Sequence, residues 1–304
     1  MSYMKIENYE IRYTSLNNTV IWPHNPLAFG SNMRSNSYEN GKGIMRFDAP
    51  VTIIGDSAFR DCNLLTSITI PDSVTEIRCH AFYRCSKLLE VSGGSNISYI
   101  RAYAFSGCLC LKNFNIPESV TTIGYSAFSA CHSLTSITIP DKVTHIEYNT
   151  FSSCRNLTNV KIGNGVTHIS HEAFLFCMSL TNIKFGSNLT SIAESVFKNC
   201  MRLKNIDIPD SVKEIGEYAF EGTNLTTITI GKGVDFIGKH VFACKSLERI
   251  YCKSLNPPML WDSGLERASA NIQIYVPASA ISVYKSNKDW GKFANHIVSY
   301  YMYY

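Results

Sequence analysis

The sequence predicts a solenoid: short coils stacked on one another, with a parallel β-ladder along one side. Three observations predict it. Phe59, Phe82, Phe105, Phe128, Phe151, Phe174, Phe197 and Phe220 recur every 23 residues, and Phe242 follows after 22 because the Gly222-Thr223-Asn224 stretch is one residue short. Cys62, Cys85, Cys108, Cys131, Cys154, Cys177 and Cys200 keep step three places after each Phe, with Cys244 one place early. Leu65, Leu88, Leu111, Leu134, Leu157, Leu180 and Leu203 keep step too, while the polar positions between them drift. Nine copies at a fixed period mean coils that bury their apolar faces only against one another.

The elements follow in chain order. Residues 1–50 are expected to form an N-terminal cap, with Met45, Phe47, Val51 and Ile54 in phase with the repeat as a degenerate zeroth coil. Residues 51–252 hold the nine repeats. In each, a pattern such as Leu134, Ile137 and Ile139 alternating with Ser136 and Thr138 reads as a half-buried strand. Pro140 ends it, having no N–H for the ladder; other copies use Gly163, Gly186 or Gly231 there, within turn sequences such as PDK and GNG. Val143 and Ile146 point inward again on a second short extended piece. Asn149 to Cys154 places a capping-type residue before Phe and Cys at i, i+3, which suits one helical or 3-10 turn. Strands of successive coils should pair in parallel about 4.8 Å apart, so that each inward slot becomes a column of like residues.

Residues 253–304 form the expected C-terminal cap. It begins with an irregular insertion, 253–271, containing Pro257 and Pro258. Ile272, Ile274 and Val276 give a last strand stopped by Pro277, Ala278 to Tyr284 a short helix, and Trp290, Phe293 and Ile297 a cover for the final coil. Trp22, Trp261 and Trp290 all lie outside the nine copies. Caps are needed because open strand edges template aggregation; the alternative is that one end docks a partner. The whole is expected to be one continuous structural unit.

The unit LTSITIPDxVTxIxxxAFxxC resembles the BspA-like leucine-rich repeat family. SITIPDSVTEI (Ser67 to Ile77) followed by AFYRC (Ala81 to Cys85) carries the match, which covers roughly Val51 to Cys252. The segment IYVPASAISVYKSNKDWGKFANHIVSY resembles the ending of many such bacterial surface proteins. EIRYTS and SNSYENGKGIMRFD resemble a leader module found ahead of these repeats, often in gut Bacteroidetes. Gly93 and Gly94 depart from the pattern in the second copy, and the eighth lacks its Cys. The resemblance implies a leucine-rich repeat solenoid, display on a cell surface or secretion, and binding or adhesion. It brings no catalytic residues.

Composition narrows the function classes. Charged residues are 17% of the chain, below the roughly 25% of ordinary soluble domains, so Ser, Thr, Asn and Tyr must make much of the surface. The net charge of +4 is scattered, without the basic run of a nucleic-acid partner. No apolar run approaches the roughly 20 residues of a transmembrane span. The start, MSYMKIENYEIRYTS, has no apolar core of signal-peptide length. Either export does not use that route, with a cytoplasmic location as the alternative, or the chain is a trimmed mature form. No P-loop, H-E-x-x-H or G-x-S-x-G motif occurs, no cofactor is called for, and repeats leave no deep pocket, so the chain is read as not an enzyme.

Eleven cysteines raise disulfide and metal readings. A linear stack neither brings β-carbons to about 3.8 Å nor converges ligands on a tetrahedral ion, so buried free thiols are expected. Cys79, Cys110 and Cys252 lie off the column and are read as the more reactive ones. His145 and His168 share a phase in adjacent coils and read either as two exposed histidines or as a shared metal site. Glu214, in the same phase and reckoned three coils beyond His168, is too distant for one ion. Tyr125 and Tyr148 also share a phase, with Tyr103 near it, and read as mutually supporting surface tyrosines.

Two candidate recognition surfaces emerge. The first is the outward face of the ladder, with Asn113, Asn159, Lys161, Asn182, Lys184, Asn205, Asp207 and Tyr251 as candidate ligand residues. Lys184 beside Asp207 is expected to pair weakly. The face lacks aromatic anchors until Tyr251, whereas binding hot spots favour Trp, Tyr and Arg; its alternative reading is a plain solvated face. The second is an apolar patch of Leu175, Phe176, Met178 and Met201, at positions that are mostly polar elsewhere. The function read from all this is a non-enzymatic binding or adhesion protein recognising a protein or a glycan through the solenoid surface. The alternative is an intracellular or particle-associated interaction scaffold without an extracellular ligand.

Overall fold

A computed structural model describes residues 8–261, 265, 269 and 271–300. Part of the irregular insertion expected at 253–271 therefore lies outside the described residues. The chain is a solenoid of stacked coils, most of them contributing a ladder strand and a shorter second strand. Leu65–Ile70 pairs in parallel with Glu90–Gly93, Ser136–Ile139 with Asn159–Ile162, and Thr227–Ile230 with Arg249–Cys252, always one coil apart. The second strands, two residues each, form their own ladder from His145–Ile146 through Phe236–Ile237 to Met259–Leu260.

Inside, the phenylalanines stack. Rings from Phe59 to Phe220 lie 5.0–5.6 Å apart and within 9° of parallel. All nine, Phe242 included, are fully buried. The cysteine column has its own reason. From Cys85 onward each thiol of the column donates to the Phe carbonyl of the preceding coil: Cys85 to Phe59 at 2.9 Å, Cys154 to Phe128 at 3.1 Å, Cys200 to Phe174 at 3.3 Å. That carbonyl is buried, and a buried acceptor is costly to leave without a partner. In the eighth copy Thr223 takes the place of Cys and bonds the Phe220 carbonyl of its own coil at 2.8 Å.

The corner around each Phe closes i to i−3 hydrogen bonds, as 3-10 turns do, yet does not continue as helix. Alternate N–H groups leave the local turn for the next coil: Phe151 donates to Ala173 at 2.8 Å and Ser153 to Leu175 at 2.7 Å. The residues two before and two after the Phe take positive φ to allow this, for example Asn149 at 54° and Ser153 at 61°. The turn after the ladder strand is also tied across coils. Asp72, Asp141 and Asp210 each accept the backbone N–H one coil on, from Ser95, Asn164 and Lys232. The conserved-looking Pro-Asp dipeptide is thus a strand stop followed by a cross-coil cap.

Two features differ from the expected regular ladder. It is interrupted at Asn113, which keeps only an isolated bridge to Glu90, and between Asn182–Lys184 and Asn205–Asp207. Both breaks coincide with a Phe in a slot made for Ile or Val. Phe114 turns between Phe105 and Phe128, at 4.9 and 5.2 Å, and Phe185 meets Phe197 edge-on at 6.1 Å. At the N-terminus, Met45 and Phe47 do not form a parallel zeroth coil. They lie on Lys42–Phe47, in an antiparallel group with Met33–Glu39 and Glu10–Ser15. Glu10–Ser15 runs antiparallel along the free edge of Leu65–Ile70 and so covers it. The in-phase reading holds only from Val51 onward: Ile53–Ile54 pairs in parallel with Glu76–Ile77.

At the other end Gln273–Pro277 and Ile297–Tyr300 add two more parallel strands to the ladder. The helix Ile281–Ser286 packs there, with Tyr284 and Trp290 fully buried. Trp290 Nε1 donates to the Pro258 carbonyl at 2.7 Å. Trp22 and Trp261, in contrast, are 66% and 52% exposed, so of the three tryptophans only Trp290 is a core residue. No helix is long and apolar enough to cross a membrane among the described residues.

Candidate functional site

The ladder face is laid out by register. Ser136, Asn159 and Asn182 are direct neighbours across coils, as are Thr138, Lys161 and Lys184. All the candidate residues Asn113, Asn159, Lys161, Asn182, Lys184, Asn205 and Asp207 are exposed, while Tyr251 is half-buried. The amides make little use of one another: Asn182 Nδ2 reaches Asn159 Oδ1 only at 3.5 Å. Lys161 and Lys184 stand side by side, an arrangement that costs stability between like charges. Lys184 does not pair with Asp207; the interruption of the ladder falls between their strands. Tyr251 stacks on Tyr275 at 4.6 Å, and Tyr300 meets it edge-on at 6.1 Å. Their faces cover one another, leaving a compact aromatic end to an otherwise polar surface.

The apolar candidates lie on the flank leading into that face. Phe176 is 37% exposed and Met201 46%, while Leu175 and Met178 are half-buried. Phe176 sits at a φ of 58°, at the corner position where other coils place Asp61, Arg84, Gly107, Ala130, Ser153, Asn199 or Gly222, and is the only aromatic among them. Met178 stands one coil before Met201 in the same column. Beside Met201 an open groove of about 550 Å³ is lined by Thr181, Met201, Arg202, Lys204, Asn205 and Asn224. The groove therefore joins the apolar patch to the ladder face.

The remaining constellations resolve as follows. His145 and His168 stack in parallel at 5.0 Å, each with Nδ1 engaged by its neighbouring threonine. Parallel rings do not converge on one ion. Glu214 lies two coils beyond His168, not three, and accepts from Ser191 between them. Tyr125 and Tyr148 do not stack on each other: Tyr125 meets Tyr103 edge-on at 5.1 Å, and Tyr148 stacks on His171 at 5.2 Å. Among the described residues no group of three or more His, Cys, Asp or Glu could hold a metal ion.

All eleven cysteines are free, but their exposure departs from the column rule. Cys62 is half-buried, having no coil beneath it. Cys252, expected among the more reactive thiols, is buried, and desolvation pushes it up to about 12.

Two features are not among the candidates read from the sequence. Arg202 and Lys204 are exposed and make no ion pair among the described residues. The signal for Arg202 was the missing residue of the eighth copy. Thr223 fills the Cys position and Leu225 comes one place early, so the absent residue is the one that would follow Arg202 in its column. An aromatic and arginine cluster also lines the corner of the early coils. Arg60 and Arg84 lie 5.4 and 5.2 Å from the Tyr83 ring, and His80 stacks on Tyr103 at 4.9 Å. Desolvation, then Arg60, holds His80 below the usual imidazole range. His80 and Tyr103 share a phase, a pattern visible in the sequence once sought.

Comparison with known proteins places this architecture. The family model described as BspA type leucine rich repeat region matches in six copies, over residues 52–181 and 167–257, more than half of the chain. Among solved structures, a leucine-rich repeat protein from Bacteroides ovatus is 27% identical with a TM-score of 0.57, over 88% of this chain and 74% of that one. A leucine rich repeat protein of T. pallidum is 25% identical with a TM-score of 0.43, over 60% of this chain and 72% of that one. A leucine rich cell surface protein from Faecalibacterium prausnitzii is 22% identical with a TM-score of 0.45, over 98% of this chain and 94% of that one. No curated protein gives a significant match.

Proposed function

Because this chain belongs to the BspA-type leucine-rich repeat family, we propose that it is a non-enzymatic binding protein, displayed on a cell surface or secreted, that recognises a protein or glycan through the outward face of its ladder. One observation supports this above the others. Asn159 and Asn182 stand in register and exposed, the Asn159 amide donating to Thr158 Oγ1 at 2.8 Å and meeting Asn182 only at 3.5 Å, with Lys161 and Lys184 beside them in a like-charge arrangement that an anionic or polar partner would relieve. Such a flat, regular row of amides, hydroxyls and ammonium groups suits a repeating polar ligand. Each coil presents polar groups at about 4.8 Å from those of the next, with Asn159, Asn182 and Asn205 repeating the same amide, so a chain of sugars or an extended segment meets several coils at once.

The test is a binding screen of the whole chain against extracellular matrix proteins and glycans, repeated with Asn159→Ala, Asn182→Ala and Asn205→Ala together. All three residues are exposed, so the variant is expected to fold and to lose at least tenfold in affinity for the ligand found. Unchanged affinity removes the ladder face from recognition.

A further inference from the structure

We infer that the groove beside Met201 is a docking site for an acidic peptide segment carrying one apolar side chain. The inference rests on the reading of the chain as a binding protein; its groove shares Asn205 with the ladder face and its charged arc shares Lys161, Lys184 and Asp207, but it does not need Asn159 or Asn182. Its origin is in the repeat. From the fourth residue after the phenylalanine onward, three successive coils change character together. Residues 155–161 contribute Arg155 and Lys161, 178–184 contribute Met178 and Lys184, and 201–207 contribute Met201, Arg202, Lys204 and Asp207. The corresponding stretches on either side, 132–138 and 224–229, hold no Lys, Arg, Asp or Glu. This arc thus carries five cations against one carboxylate, an excess equal to the +4 of the whole chain. None of the five makes an ion pair among the described residues. Some charges elsewhere do pair across coils, as Lys198 does with Glu221 at 2.6 Å.

The cavity follows from the short eighth copy. A regular coil would set a residue against Arg202, but that residue is missing, and Asn224 instead folds back to donate to the Met201 carbonyl at 2.7 Å. The gap leaves about 550 Å³ open beside Met201, with Arg202 and Lys204 at its rim and Asn205 leading to the ladder. A volume of this size takes one Leu- or Phe-sized side chain and its backbone. The apolar surface continues one coil back through Met178 and Phe176. Phe176 is the one aromatic at a corner held at positive φ from Asp61 to Gly222, where the other coils carry Asp, Arg, Ala, Ser, Asn or Gly. Methionines adapt to the shape of what they contact, and unpaired Arg and Lys select carboxylates and steer them by long-range attraction.

The test uses the full chain with its eight methionines labelled at the methyl carbon, so that Met178 and Met201 report directly by NMR. The probe is a capped hexapeptide with one phenylalanine flanked by aspartates and glutamates; its control replaces the acids with lysines. Saturable shifts of the Met201 signal with the acidic peptide are expected, weakening at least tenfold between about 50 and 500 mM salt as surface charges are screened. Arg202→Glu combined with Lys204→Glu should abolish them, and Phe176→Asn, which keeps the backbone conformation favourable, should weaken them several-fold. Asn159→Ala with Asn182→Ala should leave them unaltered, which separates this groove from the ladder face. The inference is overturned if the lysine peptide binds equally, or if shifts survive the Arg202 and Lys204 changes. It is equally overturned by a sulfated heparin fragment moving Met201 where the acidic peptide does not, or by shifts that track protein concentration alone and so report self-association.

Discussion

Replacing Phe151 by Ala probes the stacking that the fold depends on. The ring is fully buried and lies between Phe128 at 5.5 Å and Phe174 at 5.4 Å, both within 9° of parallel. Truncating a buried Phe costs about 3–5 kcal/mol through lost transfer energy and the cavity left behind. Two ring pairs are lost at once, each worth about 0.5–1.5 kcal/mol beyond area, which puts the value in the upper half of that range. Collapse offers little relief, because the coils on both sides are held by Phe128 donating to Thr150 at 2.9 Å and Phe151 to Ala173 at 2.8 Å. Phe242→Ala is the internal control: it is equally buried but has no ring pair among the described residues, so its cost should be about 1–3 kcal/mol smaller. Urea unfolding followed by circular dichroism gives the total. Hydrogen exchange of the Phe128 and Phe151 amides shows whether the loss stays local, since stability in a coil array is shared between neighbours. A cost below about 1 kcal/mol for Phe151→Ala, or an equal cost at Phe242, would refute the stacking argument.

Other consequences are as direct. Thiol titration of the native chain should count no more than the three half-buried cysteines, Cys62, Cys79 and Cys110, and eleven after denaturation; a lower denatured count would mean disulfides. Burial raises Cys154 from an ordinary value near 9 to about 12, so its stabilising effect is complete below about pH 9 and is lost as pH rises toward 12. The urea midpoint should therefore fall as pH rises from about 9 toward 12, and less steeply in Cys154→Ala. Gly165→Ala should destabilise by about 1–3 kcal/mol, because its β-carbon would lie 1.9 Å from the Asp141 carbonyl oxygen of the preceding coil. Trp290→Phe should cost about 1–3 kcal/mol in the same assay by leaving the Pro258 carbonyl without its donor.

The coils were legible in the sequence because inward positions obey one constraint in every copy. A slot between two Phe rings accepts another Phe, and a slot facing a Phe carbonyl accepts a small donor, so Phe and Cys repeat without drift. The N-terminal strands were not legible in the same way. Met45 and Phe47 have the right phase, but phase alone does not distinguish a parallel coil from an antiparallel strand that presents the same alternation. The ladder breaks at Phe114 and Phe185 were visible only as substitutions within an apolar class; ring size, not hydrophobicity, decides them. On the surface, the ladder candidates are where the period puts them. The Arg202 groove is not, because it is created by a residue that is absent.

That contrast bears on where recognition resides in such a chain. A perfectly repeated coil offers the same chemistry at every level, which suits a ligand that itself repeats but selects no particular position along the rod. Position is specified only where the repeat fails. Here the failures coincide: an aromatic at the corner position of Phe176, methionines in place of polar residues at 178 and 201, five unpaired cations within three coils, and a deletion one coil beyond them. None of these improves the packing of the core, which is complete without them; the adjacent Lys161 and Lys184 work against stability. Features that cost the fold and gather in one place are better explained by a bound segment than by stacking. Restoring the regular pattern there should therefore stabilise the chain while removing peptide binding. Phe176→Asn together with Lys161→Thr should raise the urea midpoint, and a fall in that midpoint would mean that these residues serve the solenoid itself.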